Sequence, residues 1–319
     1  MGNKHIRSVL LALVGLGIGL AFFWYLYTHA DEYLRLLRLS VGGLVLLFVL
    51  SLGVPLFNGM QNTLLYRSLG VKEFSHRDGF LIAAASSLAN QLPVPGGLVS
   101  KGFYLKRMHQ LSYTLYTSST VALFVSFLSL DGFVGLLVLL YWALAMDKPA
   151  SPSLWIGFSL MAASILVFVI PVQSLRLPGA LNGRVQRALE GWVHMRRNPL
   201  MVLKVLGLQM IMIIFAAARY WLAFHMLSQN VSLGQVLLMS NASILTQVVS
   251  IAPGGLGVRE AIVGGVAAVL GFDMAVSVLA VGLDRLISTV VIFLVGGVSM
   301  LLLGGQLSRK PIDPEQDKA

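Results

Sequence analysis

The stretch Ala252-Pro253-Gly254-Gly255-Leu256-Gly257-Val258-Arg259-Glu260 decides how this chain folds. It lies between apolar runs in a sequence that otherwise reads as membrane-spanning helix. Proline has no backbone N–H and glycine lowers helix propensity, so the helix breaks here. Broken backbone at membrane depth is tolerated only where protein buries it or a watery cavity wets it. A cation, an acid and a fresh apolar segment, Ala261 to Leu270, follow the break. That is how a half-helix begins, with free amides and a positive dipole end beside a fixed positive charge. Such a place suits an anionic ligand.

The device occurs earlier as well, at Pro95-Gly96-Gly97-Leu98-Val99-Ser100-Lys101. Both copies read Pro-Gly-Gly-Leu, two residues, then a cation, and they stand 158 residues apart (253 minus 95). The same offset pairs Ala83 to Gln91 with Asn241 to Val249, both rich in small and amide side chains. Pro-Gly-Gly also recurs by chance as punctuation. The matched cation and the half-length offset favour an internal duplication.

Composition sets the class. Hydrophobic residues make up 57% and charged residues 11% of 319, with a mean hydropathy of +0.82. No soluble domain of this size hides that much apolar surface, so a polytopic helical membrane protein is expected. The net charge of +10 then reads as a topology signal and an attraction to anionic headgroups, not as nucleic-acid binding. The absence of cysteine excludes disulfides, thiolate metal sites and a cysteine nucleophile. The six histidines are scattered without ligand spacing, so neither a metal nor another cofactor is expected.

Taken in order, the chain predicts a first span from Val9 to Tyr27 and a second from Ser40 to about Tyr66. A re-entrant segment follows from Gly79 to Val94, too short to cross, ending at Asn90-Gln91. Ser112 to Met146 is interrupted by Asp131-Gly132 and reads as one tilted helix or two short ones. Further spans are expected from Leu154 to Val172, Leu200 to Leu227 and Ala275 to Leu303, with a second re-entrant segment from Leu233 to Ala252. A connector over 176–199 has an apolar stripe opposite Arg184, Arg187 and Glu190, as an amphipathic helix on an anionic membrane face would. The tail over 308–319 is polar.

The expected fold is therefore all-α: one membrane domain of two inverted repeats, about 6–146 and 154–304. Each has three crossings and one re-entrant broken-helix hairpin. With both termini cytoplasmic, 17 of the 23 Lys and Arg fall inside and four outside (Arg35, Arg38, Lys148 and Arg259). That bias fits the positive-inside rule, and an odd number of crossings per half inverts one repeat relative to the other.

Charge at membrane depth is costly, which singles out Asp131, Arg219, Glu260, Asp284 and Arg285. Asp284 and Arg285 point about 100° apart on a helix, so each is expected to find its own partner. Arg259 is the stronger ligand candidate, Glu260 complements the helix dipole, and Arg219 is expected to snorkel outward. Asn90, Gln91, Asn241 and Gln247 either line a polar cavity or bond between helices. No acid pair, Ser-His-Asp set or phosphate loop has convincing spacing, and nothing argues for an enzyme.

Asn90-Gln91 before Pro-Gly-Gly, the motif from Ala252 to Ala261, and Leu283-Asp284-Arg285-Leu286 together resemble the lysylphosphatidylglycerol synthase transmembrane region. The similarity spans about Ile6 to Leu303. Family members often carry an acidic-arginine pair in the helix after the first motif, whereas Val121 to Val125 is apolar here. The resemblance implies a bacterial inner-membrane protein that moves a lipid or lipid-linked substrate between leaflets. On that reading Pro253, Gly254, Gly255, Gly257, Arg259, Glu260, Asp284 and Arg285 contact an anionic or lipid-linked headgroup. Asn90, Gln91, Pro95, Gly96, Gly97 and Lys101 join them. It also implies that the chain does not aminoacylate lipid, since no soluble transferase domain follows Leu307. A non-transporting scaffold for a lipid or glycan biosynthetic enzyme is the alternative, and a small-solute carrier comes third. A homo-oligomer or a partner enzyme fits either of the first two.

Overall fold

A computed structural model describes residues 40–91, 96–146, 150–168, 190–247 and 257–309. The expected span from Val9 to Tyr27, Pro95, Pro253, Gly254, Gly255, the connector up to Leu189 and the tail from Lys310 lie outside them. All regular structure among the described residues is helical.

Four helices are long: α1 (Val41–Ser68), α4 (Tyr113–Ala145), and, further on, the two long helices of the second half. Between them lie α2 (His76–Ala89) and α3 (Gly96–His109), and α5 (Pro152–Ala163) follows, closing in a 3-10 turn. After a short helix over 190–197 come α6 (Pro199–Met226), α7 (Leu233–Ala242) with its own 3-10 turn, α8 (Val258–Val269) and α9 (Met274–Arg309). α1 and α6 have 28 residues each, and at about 1.5 Å per residue they outreach the roughly 30 Å hydrocarbon layer. α4 and α9 are longer still. All four are apolar enough to cross a membrane. Their outward side chains, such as Leu144, Leu203 and Leu301, are exposed aliphatics suited to lipid.

Local chemistry explains three departures from the expected boundaries. The first short limb begins at His76 rather than Gly79, because Ser75 Oγ accepts the Asp78 N–H at 2.9 Å and caps the helix there. Asp131-Gly132 does not divide α4. A β-carbon at Gly132 would lie 2.3 Å from the Ala162 nitrogen, so glycine is there to let α5 pass against α4. Of the expected span from Leu154 to Val172, the described part is helical from Pro152 to Ala163 and tightens into the turn Ser164–Phe168.

The short helices form two antiparallel hairpins. In the first, the Gly97 N–H donates to Asn90 Oδ1 at 2.8 Å at the tip, and the Phe74 and His109 rings meet at 5.2 Å at the base. In the second, Val231 and Val236 at the start of α7 share a core with Ala267 at the end of α8. The two bases sit at opposite ends of α4. Gly102 of α3 packs on the Tyr113 and Tyr116 rings, while Gly234 of α7 packs on Trp142. The end of α9 joins the first base, where the Tyr104 hydroxyl donates to Gln306 Oε1 at 3.0 Å. α2 is held very close to α1: a β-carbon at Gly79 would stand 2.5 Å from the Gly59 carbonyl oxygen.

The order long, short, short, long thus occurs twice. α6 is displaced from α1 by 158 residues at both ends, 199 minus 41 and 226 minus 68. This is the offset that separates the two Pro-Gly-Gly motifs.

Candidate functional site

Gly257 opens α8 with φ at +77°, a conformation glycine adopts at little cost, and no side chain caps the helix. Arg259 and Glu260 therefore stand in the first turn, where α8 packs on α9. Two ion pairs of opposite polarity cross that interface. Arg259 Nη2 donates to Asp284 Oδ2 at 3.0 Å. Arg285 Nη1 donates to both oxygens of Glu260, at 2.8 and 3.0 Å.

α6 completes the cluster. Arg219 grips Asp284 with two bonds, Nε to Oδ1 at 2.7 Å and Nη2 to Oδ2 at 2.8 Å, and also donates to Ser288 Oγ. Such a fork is the strongest geometry a guanidinium and a carboxylate can make. Next to it, the Tyr220 hydroxyl accepts from Arg259 Nε at 2.9 Å, and the Arg259 guanidinium carbon lies 5.4 Å from the Tyr220 ring centre. Asp284 is thus shared by two arginines from different helices.

Exposure and charge single out one member. The Asp284 and Glu260 side chains are 1% exposed and Arg219 is 6%, but Arg259 is 25%. Among the described residues, three guanidinium groups face two carboxylates in this cluster. Among the described residues, Arg259 Nη1 makes no hydrogen bond. The cluster presents an arginine already aimed by Tyr220 and Asp284, with a donor to spare for an anion.

The sequence-predicted residues fall into two groups. Gly257, Arg259, Glu260, Asp284 and Arg285 come together as described. Arg219 does not snorkel outward: it is buried, because the Asp284 carboxylate offers it a bidentate partner inside the bundle. Glu260 does more than complement a dipole, since it carries the pair with Arg285. Asn90, Gly96 and Gly97 build the tip of the first hairpin, where a β-carbon at Gly96 would lie 2.4 Å from the Ala89 carbonyl oxygen. Gln91 is half-buried there. Lys101 is half-buried and makes no ion pair among the described residues. Asn241 is fully buried with neither amide atom bonded among the described residues, while Gln247 is exposed.

Tyr220 and Ser288 gave no signal in the sequence. The link between Arg219 and Asp284 had one: charges at membrane depth need partners, Arg219 had none nearby in the chain, and Asp284 stands about 100° round the helix from its neighbour Arg285. Among the described residues, no three histidines or acids gather as metal ligands.

Comparison with known proteins adds a family. The family model described as "Lysylphosphatidylglycerol synthase TM region" matches residues 12–296. Neither the search of curated proteins nor that of solved structures finds a match.

Proposed function

The chain belongs to the lysylphosphatidylglycerol synthase TM region family, and from that premise we propose that it is a lipid translocase of the bacterial inner membrane. In this reading it moves a lipid with an anionic or lipid-linked headgroup between leaflets, and both termini are cytoplasmic. The observation that carries it is the part-exposed guanidinium of Arg259, held at the mouth of a half-helix inside a membrane protein. Helix amides and a guanidinium together favour phosphate, and low polarity strengthens both contacts. The two hairpins, with bases at opposite ends of α4, support a second part of the reading, that the halves are inverted repeats opening to opposite sides. Transport then alternates access between the two hairpin tips.

The test is lipid movement in proteoliposomes, with thermal unfolding followed in parallel. Arginine offers a planar fork that lysine cannot copy, so Arg259→Lys is expected to lose activity and Arg259→Ala to lose more. Asp284 keeps Arg219 in both variants, so the fold should survive. Wild-type rates in a well-folded Arg259→Ala protein would remove this residue from the mechanism. A wild-type protein that moves no anionic or isoprenoid-linked lipid would put the scaffold reading ahead.

A further inference from the structure

Away from the arginine cluster, one buried acid has no cation among the described residues. Asp131 lies near the middle of α4 and is 3% exposed. Its hydrogen-bond partner is neutral: Gln209 Nε2 of α6 donates to Asp131 Oδ2 at 3.2 Å. Gln209 Oε1 in turn accepts from Gln61 Nε2 of α1 at 3.3 Å, and the same Gln61 nitrogen reaches the Val205 carbonyl at 3.5 Å. A polar chain therefore runs from α4 through α6 to α1, joining helices of both halves.

Among the described residues, the elements packed around it bring no counter-charge; the short helix over 190–197, with Glu190, His194, Arg196 and Arg197, meets α4 near its start, at Ser118 and Ser119. α5 and α7, with the turns that end them, contain no titratable side chain. α3 carries Lys101, Tyr104, Lys106, Arg107 and His109, but meets α4 at its first turns, at Tyr113 and Tyr116. On α6, Lys204 is exposed, Arg219 is committed to Asp284, Tyr220 bonds Arg259, and His225 stacks on Trp221 near the helix end. Among the described residues no ion pair involves Asp131. Glu260 and Asp284, buried to the same degree, both have arginines.

We propose that Asp131 is a proton-binding site in the membrane interior, and that its occupancy sets the direction of the Asp131–Gln209–Gln61 hydrogen-bond chain. A carboxylate at membrane depth with one neutral donor holds a charge that a proton can cancel. The step balances simply: a proton leaves hydronium, an O–H bond forms on one carboxyl oxygen, and one negative charge disappears. Ionised, the carboxylate only accepts, which is the arrangement seen, with Gln209 Nε2 as donor. Protonated, it can donate, and Gln209 answers by turning its carbonyl oxygen toward Asp131. Gln61 turns in response, so that its Oε1 accepts from Gln209 Nε2 and its Nε2 leaves the Val205 carbonyl. The same proton thus rearranges the contact of α1 with α6 and of α6 with α4, a two-state element of the kind switches use. Coupling of this element to lipid movement rests on the translocase reading above.

The experiment is infrared difference spectroscopy of the full chain in lipid nanodiscs while the buffer is acidified. A protonated-carboxyl band is expected to grow on acidification and to be absent from Asp131→Asn. In Gln209→Leu, which keeps the carboxyl, the band should persist at a shifted frequency because its partner has gone. A spectrum without such a band, or a band that survives unchanged in Asp131→Asn, overturns the proposal. If Asp131→Asn does not fold, the Gln209→Leu shift decides, and an unshifted band overturns the assignment. The two readings fail separately: a titrating Asp131 band in a protein that moves no lipid sinks the translocase, whereas lipid movement without the band sinks the proton site.

Discussion

The two halves share a plan and differ in charge. α1 and α6 have equal length, each is followed by a hairpin of short helices, and α4 and α9 close each half. At the 158-residue offset Arg219 corresponds to Gln61, Arg259 to Lys101, Glu260 to Gly102, Asp284 to Ser126 and Arg285 to Phe127. The second half carries a five-residue ionic cluster; the first keeps a single cation in the matching places. Lys101 has no ion pair among the described residues, and Gln61 turns instead to Gln209 and the Asp131 chain. One scaffold therefore holds two kinds of polar interior. Salt-bridged charge fixes α6, α8 and α9 to one another, while amides tie α1, α4 and α6 through weaker bonds.

The largest expected effect breaks this comparison at its charged end. Asp284→Ala leaves Arg219 and Arg259 facing each other without a carboxylate, and removing one partner of a buried pair costs about 3 to 5 kcal/mol. Unfolding of the purified protein in detergent should show that loss. Ser126→Ala, at the matching position in the first half, removes only a bond to the Ala122 carbonyl and should cost less than about 1 kcal/mol. Comparable losses in the two variants would mean that the asymmetry is chemical but not energetic.

A smaller effect sharpens the comparison of packing. Gly79 corresponds to Leu237, so Gly79→Leu gives the first hairpin the side chain that the second carries. The new side chain would run into Thr63 and the Gly59 backbone, and overpacking of this kind costs about 1 to 3 kcal/mol. The same unfolding measurement reads it. A neutral result would show that α2 can stand off from α1 as α7 stands from α6, and that the halves are more alike than their glycines suggest.

Much of the plan was legible because membranes constrain sequence strongly. Helices long enough to cross must be predominantly apolar, and the Pro-Gly-Gly motifs mark where the helical backbone is broken. The matching offset of α1 and α6 followed from comparing those motifs alone. Boundaries were less legible where a polar residue acts locally: Ser75 reads as link but caps a helix, and Gly132 reads as a breaker but is a packing contact. For the site, Asp284 and Arg285 declared themselves as buried charges with separate partners. Which partners they take depends on how α6, α8 and α9 are rotated, and spacing does not encode that. Tyr220 was hidden for the same reason, since a tyrosine at that position reads equally well as core or as interface.

The opposed orientation of the halves is the claim on which the alternating reading stands, and the absence of cysteine makes it directly measurable. Lys72 is exposed at the base of the first hairpin and Met274 is exposed just beyond the second. Single cysteines at these positions can be treated in intact cells with a thiol reagent that does not cross membranes. The account predicts that Met274→Cys reacts from outside and that Lys72→Cys reacts only after the cells are opened. Equal labelling of both from the same side would contradict it.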